Sequence, residues 1–349
     1  MKKVFFFLAA IVLTAACSGD ALSPEKRASG ETVMVDLSLE PVVQQTKSTA
    51  DVDENRVNNV TLLVFDGGGN RLVYEKFNNN TAYNICLPGK KNIKIYAVVN
   101  SSYQFDNVLD YASFRTTLSQ FQNNTMSNFE MVGFIDTALV TDCSLSMPVN
   151  RLASKLHIES IRINSNLKAP STKSTLVYFS LKSVYIMNAA STYPYSLERS
   201  TTAQFISKDE DNPMIYHPMK SSYTWTSDGG YSYYTYNEAM DFYLYPNTSD
   251  YSASSLVLYI EVETLTSAIG GGYYSDTKKY QYNIRLPELR PNTMYNIRQL
   301  TIKNPGKDPS LSFPDNNLNM MAEYSIEVKG LSDGKVLESI NKKEVAYAF

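Results

Sequence analysis

Short segments in which apolar and polar residues alternate are the feature that most limits how this chain can fold. In residues 32–39, the side chains of Val33, Val35, Leu37 and Leu39 point one way and those of the intervening residues the other. This period of two is typical of a half-buried β-strand. We expect further strands at residues 60–65, 71–77, 92–100, 156–163, 176–186, 255–265, 278–286 and 294–302. The sequence therefore predicts an all-β fold.

Turn sequences and one helical segment complete this prediction. Glycine-rich turns at residues 66–70 and 270–272 lie between strand segments and indicate hairpins. Residues 103–128 form the best helical candidate, with Phe114, Leu118 and Phe121 at helical spacing as core contacts. Residues 193–246 are rich in tyrosine and are expected to form an elaborated loop. With a boundary near 149/150, the pattern predicts two antiparallel β-sandwich domains in tandem and minor α content.

The first residues of the chain have the pattern of a bacterial export signal. Lys2 and Lys3 precede an apolar run at residues 4–13 that is too short to span a membrane, and small residues follow it. Residues 13–17 match the lipobox, in which the cysteine receives a diacylglycerol after cleavage. We therefore expect residues 1–16 to be a signal peptide and Cys17 to be lipidated; the alternative is an ordinary cleaved signal with a chance cysteine.

Composition argues against several classes of function. The net charge is −3 with no long basic run, so no nucleic-acid partner is expected. The chain has two histidines and lacks a metal-binding motif, a nucleotide-binding motif and a GxSxG motif, so we expect no metal, no cofactor and no enzyme activity. Paired acidic residues, Asp241 with Glu238 and Glu261 with Glu263, are expected to face solvent. Cys86 and Cys143 are either bridged or buried as two free thiols.

Several stretches together resemble the Bacteroidetes fimbrillins, the subunits of type V pili. Behind the lipobox come the hairpin at residues 60–73, the strand IYAVVN at 95–100, the segment RLASKL at 151–156 and YNIRQLTI at 295–302. Each stretch is weak alone, but their order along the chain is fairly specific.

This resemblance implies a pilin of two transthyretin-like β-sandwich domains that is exported as a palmitate-bearing lipoprotein to the outer membrane. An Arg/Lys-specific protease then cuts the loop after the first strand, here between Lys47 and Ser48, with Arg56 and Val57 as the second choice. The implied segments are the signal 1–16, a lipidated propeptide 17–47, a domain 48–149 and a domain 150–349. The mature subunit would belong to a cell-surface fimbrium.

Loss of the first strand would give the subunit a way to polymerise. It would expose strand edges and an apolar floor, which can accept a strand from another subunit. Residues 322–349 at the C-terminal end offer two candidate donor strands, carrying Tyr324, Ile326 and Val328, and Val345, Tyr347 and Phe349. A head-to-tail contact of this kind produces a fibre. The alternative is that this tail pairs within its own domain.

A pilus-tip adhesin or a glycan-binding surface lipoprotein is the second functional hypothesis. Aromatic rings suited to a sugar or a host ligand are concentrated in one segment, namely Trp225, Tyr231, Tyr233, Tyr234 and Tyr236. A long loop that packs its own aromatics explains the same cluster. The sequence leaves open whether the protein is a shaft, tip or anchor subunit.

Overall fold

The protein is an all-β structure, as the sequence predicts. The computed structural model describes residues 32–41, 54–78, 81–89, 91–164, 175–198, 204–206, 208–219, 223–228, 231–246, 257–267, 276–286, 289–302, 320–330 and 336–346. Within these ranges the chain forms 22 strands and one short α-helix. No helix in these ranges is long and apolar enough to cross a membrane.

The first eight strands belong mainly to one sheet. They are β1 (Thr32–Pro41), β2 (Asn59–Asp66), β3 (Arg71–Asn78), β4 (Ala82–Pro88), β5 (Lys91–Val99), β6 (Leu118–Gln120), β7 (Met131–Leu139) and β8 (Cys143–Arg151). The seven-stranded sheet has the order β3-β2-β5-β7-β8-β1-β4, and β7 and β8 pair only over Met131–Gly133. The inward residues of both halves of this sheet fill one core, which includes Val35, Leu62 and Ile95. The sheet therefore folds over on itself and is compatible with a β-sandwich.

The remaining strands follow from residue 154 onwards. They are β9 (Ser154–Ile158), β10 (Ile161–Asn164), β11 (Thr175–Met187), β12 (Thr192–Pro194), β13 (Tyr216–Pro218), β14 (Thr224–Asp228), β15 (Tyr231–Tyr236), β16 (Met240–Leu244), β17 (Val257–Ser267), β18 (Asp276–Arg285), β19 (Thr293–Ile297), β20 (Leu300–Ile302), β21 (Met320–Gly330) and β22 (Val336–Ala346). One sheet has the order β14-β15-β10-β20-β21-β19-β9-β16, with β22 on the free side of β21. A four-stranded sheet, β13-β11-β17-β18, accompanies it, and β12 pairs with β6.

A second hydrophobic core joins the two groups of strands. Strand β2 is buried on both faces: Val60, Leu62 and Val64 face the first core, whereas Leu63 and Phe65 face the second. The second core continues into the later strands through residues such as Leu156, Tyr243 and Ile297. The boundary at 149/150 thus lies beside a shared core, and the division into two domains stays a prediction.

The helix expected at residues 103–128 is wrong over most of its length. The α-helix covers only Tyr111–Arg115, where the Asp110 side chain accepts a hydrogen bond from the Ser113 backbone N–H and caps its first turn. Single 3-10 turns at Phe105–Asn107 and Phe121–Asn123, together with β6, occupy the rest. Asparagine, serine and threonine recur through this stretch and favour turns and caps over helix interiors. Phe114 and Phe121 are nevertheless buried in the second core, and Leu118 is half-buried.

Two expected strands are each interrupted, and the interruptions lie opposite each other. Residues 156–163 belong to β9 and β10, and residues 294–302 belong to β19 and β20. Ile158 is the parallel partner of Ile297, and Ile161 is that of Leu300. The Glu159 N–H donates to the Ile297 carbonyl across the break, at 2.9 Å. The alternation of apolar and polar residues along each strand does not reveal this interruption, because the two neighbouring strands are interrupted together.

The expectation of an elaborated loop at residues 193–246 is also wrong from residue 224 onwards. Strands β14, β15 and β16 belong to the large sheet, and β16 is buried against β9. Consecutive tyrosines hide the alternation here, because a tyrosine can either be buried or face solvent. The sequence does not predict strands β4, β7 and β8. Of these, β4 and β8 carry polar residues on their outward faces.

Candidate functional site

The removable strand predicted from the sequence is an interior strand of the first sheet. Strand β1 lies between β4 and β8, antiparallel to the former and parallel to the latter. Val35, for example, lies opposite Ile85 of β4 and Cys143 of β8. The name strand groove is used below for the position of β1 between β4 and β8. Removing β1 would leave two facing strand edges with unpaired backbone groups.

The inward face of β1 is almost fully withdrawn from solvent. Val33, Val35, Leu37 and Leu39 are 4%, 0%, 1% and 5% exposed, and all four belong to the first core. Burial of an aliphatic side chain of this size contributes about 1.5–3 kcal/mol, so the four together contribute about 6–12 kcal/mol. The floor of the strand groove is therefore strongly apolar, and an empty groove would be unfavourable in water.

Polar contacts fix the register of β1. The Met34 N–H donates to the Asp142 carboxylate at 2.7 Å, and the Leu39 N–H donates to the Thr81 carbonyl at 2.7 Å. On the outer face, the Asn84 amide donates to the Asp36 carboxylate, also at 2.7 Å. Because a slip by one residue would turn every inward side chain outward, these contacts and the apolar face specify the same register.

The two cysteines beyond the leader lie on opposite sides of β1. Cys86 on β4 is opposite Met34 and exposed, whereas Cys143 on β8 is opposite Val35 and half-buried against the first core. Both are free thiols. A whole strand separates them, so the bridge left open by the sequence is not formed, and the alternative of two buried thiols is wrong for Cys86.

The predicted processing residues fall into two groups. Cys17, Lys47 and Ser48 lie outside the described residues. Arg56 is exposed, but its carbonyl accepts a 2.7 Å hydrogen bond from the Asn100 amide, and Val57 is 8% exposed and packs in the first core. Asn100 also accepts from the Asn58 N–H at 2.7 Å. The second-choice peptide bond is thus held in place by contacts on both of its residues.

A buried charge cluster includes Glu54, which belongs to the polar segment 44–59 that the sequence predicts to be an exposed, protease-accessible loop. That expectation is wrong at Glu54, and sequence reasoning missed the cluster. Glu54, Arg151 and Lys155 are 7%, 3% and 2% exposed. The Arg151 guanidinium contacts one oxygen of Glu54 at 2.7 Å, and the Lys155 ammonium contacts the other at 3.2 Å. The Tyr243 hydroxyl also donates to Glu54. These contacts tie residue 54 to the end of β8 and to β9. In the sequence, only the charged residues within RLASKL at 151–156 hint at them.

The charge cluster extends to the paired carboxylates considered in the sequence. The Asp241 carboxylate contacts the Lys155 ammonium at 3.0 Å and the His157 imidazole at 2.5 Å, whereas Glu238 contacts His217 at 3.4 Å. Burial acts to raise the pKa of Asp241, but the hydrogen bond from His157 and the charge of Lys155 outweigh it and lower that pKa. Both carboxylates are thus half-buried against basic side chains instead of facing solvent as expected, and the side chains of Glu261 and Glu263 lie outside what the structure describes. No group of three potential metal ligands occurs in the described part of the chain.

The candidate donor residues lie in a hairpin at the edge of the large sheet. Tyr324, Ile326 and Val328 belong to β21, which pairs with β19 and β20 on one side and with β22 on the other. Val345 belongs to β22, and Tyr347 and Phe349 lie outside the described residues. Within the described ranges β22 is paired along one edge only. In this single chain the tail thus pairs with its own sheet, and β22 is the strand that can leave with the smaller loss of pairing.

The aromatic cluster considered as a ligand surface is mostly part of the core. Tyr233, Tyr234 and Tyr236 on β15 are 5%, 9% and 1% exposed. Trp225 on β14 is 57% exposed and contacts the Tyr234 ring edge-on at 5.1 Å between centroids. Tyr231 begins β15. Of the predicted residues whose burial the structure describes, Trp225 is the one that presents a ring to solvent.

Comparison with solved structures finds this fold in proteins of Bacteroides and Parabacteroides. A candidate cell adhesion protein of Bacteroides eggerthii aligns with a TM-score of 0.56 at 13% identity, covering 86% of this chain and 96% of that one. One of Parabacteroides distasonis aligns with a TM-score of 0.56 at 15% identity, covering 87% and 100%. Another from that species aligns with a TM-score of 0.52 at 16% identity, covering 86% and 98%.

No protein-family model matches the chain, and no curated protein matches it. The structural matches extend along nearly the whole of each neighbour at low identity, so they show a common fold. The chain thus has the fold of these candidate cell adhesion proteins, and at the level of the fold this agrees with the resemblance seen in the sequence.

Proposed function

We propose that this protein is a structural subunit of a cell-surface fimbria that polymerises by donor-strand addition and supports adhesion. The observation that carries the proposal is the position of β1, an interior strand with a buried apolar face that precedes the predicted cut after Lys47 in the sequence. An interior strand that can be removed leaves an acceptor for a strand of another subunit. The names of the structural neighbours, cell adhesion proteins, agree with a surface role.

The proposed route begins with a precursor held at the outer membrane by lipid on Cys17. An Arg/Lys-specific protease cuts between Lys47 and Ser48 and releases the lipid together with β1. The alternative bond between Arg56 and Val57 is less suited to a protease, because a protease binds its substrate as an extended, accessible segment and Val57 is buried. The mature subunit then begins at Ser48 with an open strand groove.

The occupant proposed for the open groove is the C-terminal end of another subunit. Strand β22 and the residues after it, including Val345, Tyr347 and Phe349, are favoured over β21, because β21 is paired on both edges and β22 on one. Successive donor contacts are heterologous and do not close, so they extend a filament.

N-terminal sequencing of the protein purified from cell surfaces tests the processing step. We expect Ser48 as the first residue, and Lys47→Ala should keep the precursor intact, whereas Arg56→Ala should leave processing unchanged. Recovery of the surface protein with an acylated Cys17 would instead identify an anchor subunit or a plain lipoprotein.

Deletion of residues 344–349 tests the donor strand. Processed chains lacking these residues should stay monomeric, whereas processed full-length chains should form ladders of polymers on a native gel. Adding a separate peptide of residues 336–349 to the truncated chains should fill their grooves without extending a filament. Polymers formed by the truncated protein alone would show that this segment is not the donor.

A further inference from the structure

A surface cleft of about 400 Å³ lies on the connection between β5 and β7. Its lining includes Tyr103, Asn107, Ser113, Thr116, Leu118 and Gln120. No acidic or basic side chain lines it. The volume lies within the range of ligand-binding sites in proteins, about 300–1,000 Å³.

One wall of the cleft is fixed by a single arginine. The Arg71 guanidinium donates to the backbone carbonyls of Phe105, Asp106 and Val108 at 3.0, 3.3 and 2.7 Å. These three carbonyls belong to the turn that carries Asn107. Because one planar cation holds all three, the wall keeps its shape without a ligand.

The opposite wall is fixed from beneath by a buried polar network. Ser119 lies between the lining residues Leu118 and Gln120 and is fully buried. Its hydroxyl donates to the Glu130 carboxylate and is 2.5 Å from the Tyr245 hydroxyl. Strand β6, which contains Ser119, is also paired with β12. Both walls are therefore preorganised, which lowers the entropic cost of binding.

The groups that face the cleft are those that recognise a sugar. The Tyr103 ring is 40% exposed and contacts the Phe105 ring edge-on, with 4.8 Å between ring centroids, so part of the ring is open to a ligand. Within the described residues, the side-chain amides of the exposed Asn107 and Gln120 have no hydrogen-bond partner in the chain. A planar amide offers both a donor and an acceptor to neighbouring hydroxyls of a ligand.

We propose that this cleft binds a neutral saccharide. The Tyr103 ring stacks on the apolar face of a sugar ring, and the Asn107 and Gln120 amides bind its hydroxyls. The lack of a basic side chain disfavours acidic sugars and phosphate groups, because their charge would be desolvated without a counterion. The site is remote in sequence from the Trp225 surface considered above and does not depend on polymerisation.

A glycan array probed with the full exported chain tests the proposal, followed by titration calorimetry with a bound saccharide. We expect neutral glycans among the ligands, and a loss of affinity of about tenfold or more for Tyr103→Ala and for Gln120→Ala, a change of about 1.4 kcal/mol or more. Tyr103→Phe keeps the ring and should retain binding. Phe205→Ala, which removes a ring of similar exposure (39%) outside both surfaces, is the matched control and should also retain it.

Three results would overturn the proposal. They are an array without any bound neutral glycan, binding restricted to acidic glycans, and affinity that Tyr103→Ala leaves unchanged. All these variants alter exposed side chains, so circular dichroism melting should confirm that each is folded. Polymer formation should be the same in all of them, which separates failure of this site from failure of the proposed fimbrial function.

Discussion

Substitution of Leu37 by alanine should weaken the precursor strongly and leave the processed subunit unaffected. Leu37 is 1% exposed and lies opposite Tyr83 of β4 and Leu145 of β8. A leucine-to-alanine change at a site of this kind costs about 2–5 kcal/mol, because it removes transfer free energy and leaves a cavity. Urea unfolding of the uncut exported chain should show this loss in the free energy of unfolding. Ser38→Ala, on the exposed outer face, should change it by less than about 0.5 kcal/mol.

The same variant gives a second, independent measurement after proteolysis. Once the chain is cut at Lys47, the β1 segment is held in the strand groove only by non-covalent contacts. Its dissociation constant should rise by about 30-fold to a few thousandfold for Leu37→Ala, which corresponds to the same 2–5 kcal/mol. After β1 has been released, the remaining chain has the parental sequence, so its stability and polymerisation should be identical. The reasoning fails if Leu37→Ala costs no more than Ser38→Ala, or if the processed subunits differ.

Three further substitutions test other parts of the structure. Lys155→Met leaves Glu54 buried with one cation fewer and should lower the free energy of unfolding by about 3–5 kcal/mol in urea; a smaller loss than for an exposed lysine would contradict the buried pairing. Burial raises the pKa of Glu130, so folding favours its neutral, protonated form, and this stability is lost as the pH rises above the ordinary value of 4.5. Because glutamine is neutral at every pH, Glu130→Gln should gain stability relative to the parent between pH 4 and 7 in thermal melts. Gly133→Ala places a methyl carbon 2.5 Å from the Met147 sulfur and should cost about 1–3 kcal/mol, whereas unchanged melting would show that this part of the core can yield.

The strands that the sequence predicts correctly are those whose two faces meet different environments. Strand β1 alternates because one face is buried and the other is open to solvent, and its bounds differ from the expected 32–39 by only two residues. Strand β2 is an exception, because its apolar run at residues 62–65 is buried on both faces. Strand β15 was missed because Tyr233 and Tyr234 are adjacent tyrosines that are both buried, so the sequence shows no alternation.

The elements of the candidate site that escaped prediction depend on contacts between distant residues. Glu54 is 97 residues from Arg151, and Tyr243 is 189 residues from Glu54. A charged residue within a long polar segment gives no sign that it is buried. The cleft also depends on distant contacts, because its walls are fixed by Arg71 and Glu130, which lie outside the lining segment.

The charge cluster bears directly on which bond can be cut without damage to the subunit. A cut after Lys47 would leave Glu54 on the mature chain, six residues beyond Ser48, with its contacts to Arg151 and Lys155 intact. A cut after Arg56 would put Glu54 on the released segment. Arg151 would then lose its carboxylate partner in a buried site, a loss that costs about 3–5 kcal/mol. The released strand would also be held back by that ion pair. The same cluster that binds the two halves of the chain together therefore favours the earlier cut.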